Sequence, residues 1–319
     1  AQALGFTGLD GAGLEGIEFY YDQLLKGPHI NFTVFKDALG NSFSAKPEPS
    51  ANNRGHDLIL TIDSNIQYIT ERALQEASDQ YSALSALAIV MQPSTGAILS
   101  IAHCPHINPN TYSDSDKSLW RNRAVTDSFE PGSTMKIFSA AAALEYGEST
   151  PSSIFYCENG AYQIGKNVVH DIHKRGWLSL QNIIKFSSNI GAVKIGEKVG
   201  AKNLYRALRN FGFGRKTGID FPGETTGSLA DYASWSKIDT GAISFGHGVS
   251  ASAIQMVTAV SAIANDGILM KPYIVQQIVN QNGHPVRRFE PQKVRRATVS
   301  YTHLRAHETI LPISYADFC

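Results

Sequence analysis

Pro131 and Gly132 interrupt the chain immediately before Ser133, and an apolar run follows: Ile137, Phe138, Ala140, Ala141 and Leu144. The break and the run together predict a helix that begins at Ser133. Lys136 lies three residues on, so the two side chains share a face. A serine hydroxyl is a poor nucleophile until a base takes its proton. A lysine amine one turn away can act as that base if burial lowers its pKa. The helix N-terminus also turns backbone N–H groups and a positive dipole end toward developing negative charge. Ser133 and Lys136 are therefore candidate catalytic residues. Alone, the pattern equally describes a capped helix with an exposed lysine. A second copy, Ser234-Trp235-Ser236-Lys237, lacks the break and the apolar helix and reads as incidental.

A second polar cluster, Phe186-Ser187-Ser188-Asn189, falls on a segment predicted to be helical from Leu180 to Lys198. Ser187 and Asn189 can present a hydroxyl and an amide to one cleft, the first to relay a proton and the second to hold a substrate carbonyl and the lysine. A lone Ser-x-Asn is more often polar surface. His103 with His106, and His170 with His173, have no convincing third partner for a metal. Asp171 and His173 lack the nucleophile elbow of a hydrolase triad, so no metal or cofactor is expected and Asp171 reads as structural or peripheral to substrate.

The 319 residues carry 28 basic and 28 acidic side chains with no basic stripe, which argues against nucleic acid. Cys104, Cys157 and Cys319 match no zinc or redox spacing. Residues 1–53 are punctuated by Gly, Pro and Asn, with helix near Leu14 to Leu25, strand-like pieces such as Ile30 to Phe35, and a linker at Lys46 to Ser50. From Asp57 the pattern changes. A strand at Leu58 to Ile62 leads to a helix capped by Asp63 or Ser64, with Ile66, Ile69 and Ala73 on one face. A buried strand, Ala86 to Met91, turns through Pro93 to Gly96 into a second strand, Ala97 to Ala102. Phe129 to Gly267 reads as mainly helical, and Tyr273 to Val279 with Pro285 to Phe289 as a hairpin.

Ser-x-x-Lys followed by Ser-x-Asn is the opening of the motif set of penicillin-binding proteins and class A β-lactamases. The surroundings resemble class B penicillin-binding proteins: Trp120-Arg121-Asn122-Arg123-Ala124, Gly212-Phe213-Gly214, Asp220-Phe221-Pro222-Gly223-Glu224, Gly246-His247-Gly248, and Asn265-Asp266-Gly267. The order and spacing of these pieces carry the resemblance over almost all of residues 5 to 298. The start of the chain most resembles the cell-division branch. Lys216-Thr217-Gly218 has the letters of the third motif but follows Ser187 too closely. It sits in what resembles a family loop before Asp-x-Pro-Gly-Glu. The third motif is expected after Gly248, and none occurs between Gly248 and Thr298.

The resemblance implies an α+β transpeptidase fold of the penicillin-binding-protein and β-lactamase type, a central antiparallel sheet with helices on both faces. It implies the end of a non-catalytic N-terminal domain and linker at 1–53, and a transpeptidase domain at 54–298 lacking its Lys-Thr-Gly strand. Residues 299–319 are expected to be an artefact, because Ser300 to Thr309 and Ile313 to Cys319 (save Asp317) read as the in-frame translation of a sequencing adapter. The implied activity is peptidoglycan D,D-transpeptidation through a serine acyl-enzyme in septal wall synthesis, with Ser133 as nucleophile, Lys136 as base, Ser187 as proton relay and Asn189 orienting substrate. Implied partners are a stem peptide ending in D-Ala-D-Ala, β-lactams as inhibitors, and division-complex proteins including a glycosyltransferase. The implied location is extracytoplasmic, on a membrane anchor missing from this sequence. The alternatives are a serine β-lactamase, which needs a base for deacylation, and a β-lactam-binding sensor or scaffold without transpeptidase activity.

Overall fold

The computed structural model describes residues 2–27 and 54–298. The strand-like pieces at Ile30 to Phe35, the linker at Lys46 to Ser50 and the stretch 299–319 lie outside the described residues. The N-terminal helical stretch is two short helices, α1 (Gly16–Tyr20) and α2 (Asp22–Leu25). Both pack on the body of the molecule: Ile17 and Tyr21 are buried with Met91, Ile98, Ile254 and Ile274. The Tyr21 hydroxyl donates to buried Asp220 at 3.0 Å, and the backbone N–H groups of Ile274 and Val275 donate to the same carboxylate.

Strand β1 (Asp57–Leu60) runs into α3 (Ser64–Gln80), whose first turn is capped by the Asp63 carboxylate accepting from the N–H groups of Asn65 and Ile66. The inner face of α3 is not the one expected. Ile69 is 56% exposed, whereas Ile66, Gln67, Thr70 and Leu74 turn inward. Gln67 explains the roll, because its amide makes both hydrogen bonds to the Ile101 backbone, at 2.9 and 3.0 Å. A polar side chain thus satisfies a strand edge that an apolar one would leave unpaired.

The next two strands, β2 (Ala86–Met91) and β3 (Ile98–Cys104), form an antiparallel hairpin. β2 is only half-buried, contrary to expectation; among the described residues it pairs with β3 alone. Cys104 of β3 faces α3, where its thiol meets Gln75 and Ser78. His103 faces the other way, beside Asn122 and Arg123 of α4 (Arg123–Thr126) and its cap. Helices thus lie on both faces.

The remaining helices build a second core. Helix α5 (Met135–Glu145) is buried nearly all round, with Met135, Phe138 and Ala140 to Ala143 inside. Between it and the next helices come two small ribbons that were not expected: β4 (Ile154–Tyr156) pairs with β7 (Trp177–Ser179), and β5 (Ala161–Ile164) with β6 (Asn167–His170). Then follow α6 (Leu180–Lys185), α7 (Asn189–Val199), α8 (Ala201–Phe211), α9 (Lys237–Ser244) and α10 (Ala253–Ala264). The expected single helix from Leu180 to Lys198 is broken at Phe186 to Ser188.

The described residues close with β8 (Ile268–Met270), β9 (Val275–Val279), β10 (Pro285–Arg288) and β11 (Lys293–Arg296). The expected hairpin is β9–β10, joined by β1 in the order β1-β9-β10. Ala97 and Tyr273 bridge this sheet to the β2–β3 hairpin, and the Thr61 hydroxyl donates to the Ile98 carbonyl at 2.6 Å.

Candidate active site

Ser133 lies in a 3-10 turn, Gly132–Thr134, that feeds α5. The lead-in is held from one side by residues 246 to 251. Gly132 donates its N–H to the Gly246 carbonyl at 3.1 Å, and Phe129 exchanges two backbone bonds with Ala251. The Glu130 carboxylate accepts the Gly248 N–H at 2.9 Å and meets His247 Nδ1 at 2.8 Å. Those two contacts hold Glu130 below the usual carboxylate range. Gly246 has φ +91°, and a Cβ there would lie 2.1 Å from the Gly132 carbonyl oxygen. Only glycine permits this approach.

Lys136 is 2% exposed. Its Nζ reaches Ser133 Oγ at 3.0 Å, Ser187 Oγ at 2.9 Å, the Ser187 carbonyl at 2.7 Å and Asn189 Oδ1 at 2.8 Å. All four are uncharged oxygens. An ammonium donates three hydrogen bonds among these oxygens, whereas a neutral amine donates two and can accept one from a hydroxyl, the geometry a general base needs. Burial pushes the Lys136 pKa down to about 8, with the Asp171 charge opposing. Ser187 Oγ stands 2.9 Å from Ser133 Oγ, which closes a triangle of two hydroxyls and one amine.

The break between α6 and α7 makes this possible. Ser187 has φ +55°, a left-handed backbone that non-glycine residues rarely adopt. It thereby presents its carbonyl and its hydroxyl to the same nitrogen, Lys136 Nζ. Ser188 points the opposite way, buried, and accepts the Gly191 N–H at 2.9 Å as the cap of α7. Asn189, first residue of α7, donates its side-chain N–H to the His170 carbonyl at 3.1 Å. Its amide oxygen is thereby left facing Lys136. The four residues singled out from sequence, Ser133, Lys136, Ser187 and Asn189, all converge here.

Two residues outside the four catalytic candidates also act at the site. Asp171 accepts hydrogen bonds from Ser188 Oγ, Asn189 N and Ile190 N. It is in direct contact with the Ser-Ser-Asn turn, the structural one of the two roles expected for it. Glu130 anchors the nucleophile's lead-in. Its signal was its place just before Pro131; Asp171 offered none beyond its loop, since its partners lie 17 to 19 residues away.

The two decoys are engaged elsewhere. The Thr217 hydroxyl donates to Glu224 at 2.6 Å, and the N–H groups of Thr217 and Gly218 donate to the same carboxylate. Glu224 is 8% exposed, so the Lys216-Thr217-Gly218 loop is tied down by a buried acid. In the second Ser-x-x-Lys copy, Ser236 caps α9 and Lys237 opens it, with no contact between Ser234 and Lys237 among the described hydrogen bonds.

Residues 86–313 match the model of the penicillin binding protein transpeptidase domain. Among curated proteins, the chain is 35% identical over 322 residues to the stage V sporulation protein D of Bacillus subtilis, covering 99% of this chain and 49% of that protein. It is 33% identical over 305 residues to the probable peptidoglycan D,D-transpeptidase PenA of Neisseria meningitidis, covering 95% and 52%. The chain thus spans about half the length of these relatives. Among solved structures, penicillin binding protein 3 of Mycobacterium tuberculosis complexed with ampicillin superposes with a TM-score of 0.81 at 29% identity, covering 94% of this chain and 63% of that one.

Proposed function

The chain belongs to the penicillin-binding protein transpeptidase family, and from that membership we propose that Ser133 is the acylated nucleophile of a peptidoglycan D,D-transpeptidase. The observation that carries this reading is the triangle of Ser133 Oγ, Lys136 Nζ and Ser187 Oγ, with sides of 3.0, 2.9 and 2.9 Å. A serine needs a base within hydrogen-bond reach, and a lysine serves only if its neutral form is accessible near neutral pH. Burial at Lys136 supplies that condition.

In the proposed cycle, neutral Lys136 takes the Ser133 proton as Oγ bonds to the penultimate D-Ala carbonyl carbon of a stem peptide. Negative charge develops on the carbonyl oxygen, toward which the Ser133 backbone N–H is one donor. The second donor is assigned to the third family motif, which residues 249–298 do not contain. The C–N bond to the terminal D-Ala then breaks. That amine leaves with a proton passed from Lys136 through Ser187 Oγ. Asn189 orients the substrate amide. An amine of a neighbouring stem then attacks the ester carbonyl, gives its proton back along the same path, and Ser133 is released with its own proton restored.

β-Lactams acylate the same serine in this account; the M. tuberculosis relative is complexed with ampicillin. The septal role, the division-complex partners with a glycosyltransferase, the membrane anchor and the extracytoplasmic location belong to the same proposal, as does the assignment of 54–298 to the transpeptidase domain. No helix among the described residues is long and apolar enough to cross a membrane. Against the β-lactamase alternative, the carboxylate whose charge bears on Lys136, Asp171, already has both oxygens engaged by protein donors. It is poorly placed to activate a hydrolytic water. The test uses the protein from its complete gene. Transpeptidation of stem peptides and slow release of bound penicillin support the reading. Rapid turnover of penicillin supports a β-lactamase, and penicillin binding without transpeptidation supports a sensor.

A further inference from the structure

We propose that Asp171 is the positioning residue of this site, holding the Ser187 to Asn189 turn in the arrangement that aims its hydroxyl and its amide at Lys136. The proposal rests on the acyl-transfer reading above and names a residue that reading does not use.

Both oxygens of the Asp171 carboxylate are engaged. Oδ1 accepts the backbone N–H groups of Asn189 at 2.6 Å and Ile190 at 3.0 Å, and Oδ2 accepts the Ser188 hydroxyl at 2.6 Å. These donors open α7, a helix of 11 residues, where a negative charge is favoured. Hydrogen bonds to an ionised acceptor are short and strong. The neighbouring His170 carbonyl takes the Asn189 side-chain N–H. Two consecutive residues, His170 at the end of β6 and Asp171 just after it, therefore fix both the side chain and the backbone of Asn189.

This matters because the turn is strained. Ser187 at φ +55° is neither glycine nor asparagine, and such a conformation persists only where the surroundings over-determine it. On one side Ser187 N bonds to the Ile184 carbonyl and closes α6. On the other side the constraint is Asp171. Remove it, and the next three residues, Ser188, Asn189 and Ile190, each lose a hydrogen bond. Ser187 is then free to relax toward ordinary backbone angles, which swings its carbonyl and hydroxyl away from Lys136. Ser188 is the transmitting side chain: its hydroxyl holds Asp171 and caps Gly191, and it contacts the buried Cys157 thiol at 3.5 Å.

Asp171 also brings charge. The oxygens that touch Lys136 are neutral, and Asp171 is the charged group bearing on it. Behind the turn, Glu158 and Lys194 pair with each other and bear on Cys157. The Asp171 charge favours protonated Lys136 and so opposes the effect of burial.

Three variants separate shape from charge. Asp171→Asn keeps the shape, removes the charge and leaves a weaker acceptor. Asp171→Glu keeps the charge and displaces it by a methylene. Asp171→Ala removes both. The readouts are the rate of penicillin acylation against pH in the complete protein, a thermal melt, and titration of the Lys136 side chain by NMR in the chain as it stands. Displacing a reacting group by about 1 Å costs on the order of 100-fold, so Asp171→Glu and Asp171→Ala should slow acylation by about that factor. In Asp171→Asn the Lys136 midpoint should move to lower pH, carrying the rising limb of the rate profile with it; in Asp171→Glu it should stay near that of the wild type. A residue that only stabilised the fold would lower the melting temperature and leave the midpoint alone. Wild-type rates in all three variants, or an unmoved Lys136 midpoint in Asp171→Asn, overturns the proposal. If the wild-type protein itself is not acylated, the acyl-transfer reading fails, and the NMR titration still decides the role of Asp171.

Discussion

Lys136 and Ser187 lie 51 residues apart and meet twice: the lysine Nζ is 2.7 Å from the Ser187 carbonyl and 2.9 Å from its hydroxyl. One residue can offer both oxygens to one amine only because its backbone is left-handed. The lysine is thereby held without any carboxylate among these hydrogen bonds, and burial, opposed by the Asp171 charge, sets its proton affinity.

If Lys136 is the base, Lys136→Arg keeps a positive charge but cannot give up its proton at ordinary pH. General bases contribute on the order of 100- to 10,000-fold. Penicillin acylation should fall within that range while circular dichroism stays native. Near-normal acylation of the variant counts against the role.

The same lysine gives a stability signature. Its pKa is about 8 folded against 10.5 as the unperturbed value, so between these two pH values the unfolded chain binds more protons than the folded one. Stability from this group therefore rises with pH across that window and is constant below it. A shift of this size is worth about 3 kcal/mol at most. Urea melts of wild type and Lys136→Met from neutral pH up to the unperturbed lysine pKa of 10.5 should show the gap between them changing across the window. A constant gap contradicts the depressed pKa.

Gly246→Ala places a Cβ 2.1 Å from the Gly132 carbonyl oxygen and puts alanine at φ +91°. Overpacking and backbone strain together should cost about 3 kcal/mol, and the displaced lead-in should slow acylation at Ser133. A variant with native stability and native acylation rate shows that the 246–248 loop does not position the nucleophile.

Lys216→Ala should leave acylation unchanged, since the Lys216-Thr217-Gly218 loop is bound to Glu224 and not to the serine–lysine pair. Loss of penicillin labelling in that variant would mean the loop reaches the cleft.

The parts of the site legible in the sequence were those set by local geometry. Ser133 and Lys136 are one helical turn apart, so a Pro-Gly break and an apolar run were enough to bring them together. Ser187 and Asn189 were legible as residue types but not as a shape: the apolar residues flanking the Ser187-Ser188-Asn189 cluster fit one helix from Leu180 to Lys198, and nothing in them signals that Ser187 turns left-handed. That turn depends on Asp171, whose bonds cross 17 to 19 residues. The β4–β7 and β5–β6 ribbons escaped notice because strands of three or four residues are too short to show alternation. The roll of α3 escaped because a polar side chain, Gln67, faces inward to satisfy the Ile101 backbone, where periodicity placed Ile69.

The most direct measurement is the site of covalent attachment. The complete protein is treated with penicillin, digested and mapped by mass spectrometry. The account predicts one adduct per chain, on the peptide containing Ser133, and its loss in Ser133→Ala with the fold intact. An adduct on Ser187 or Ser234, or one that survives in Ser133→Ala, contradicts it.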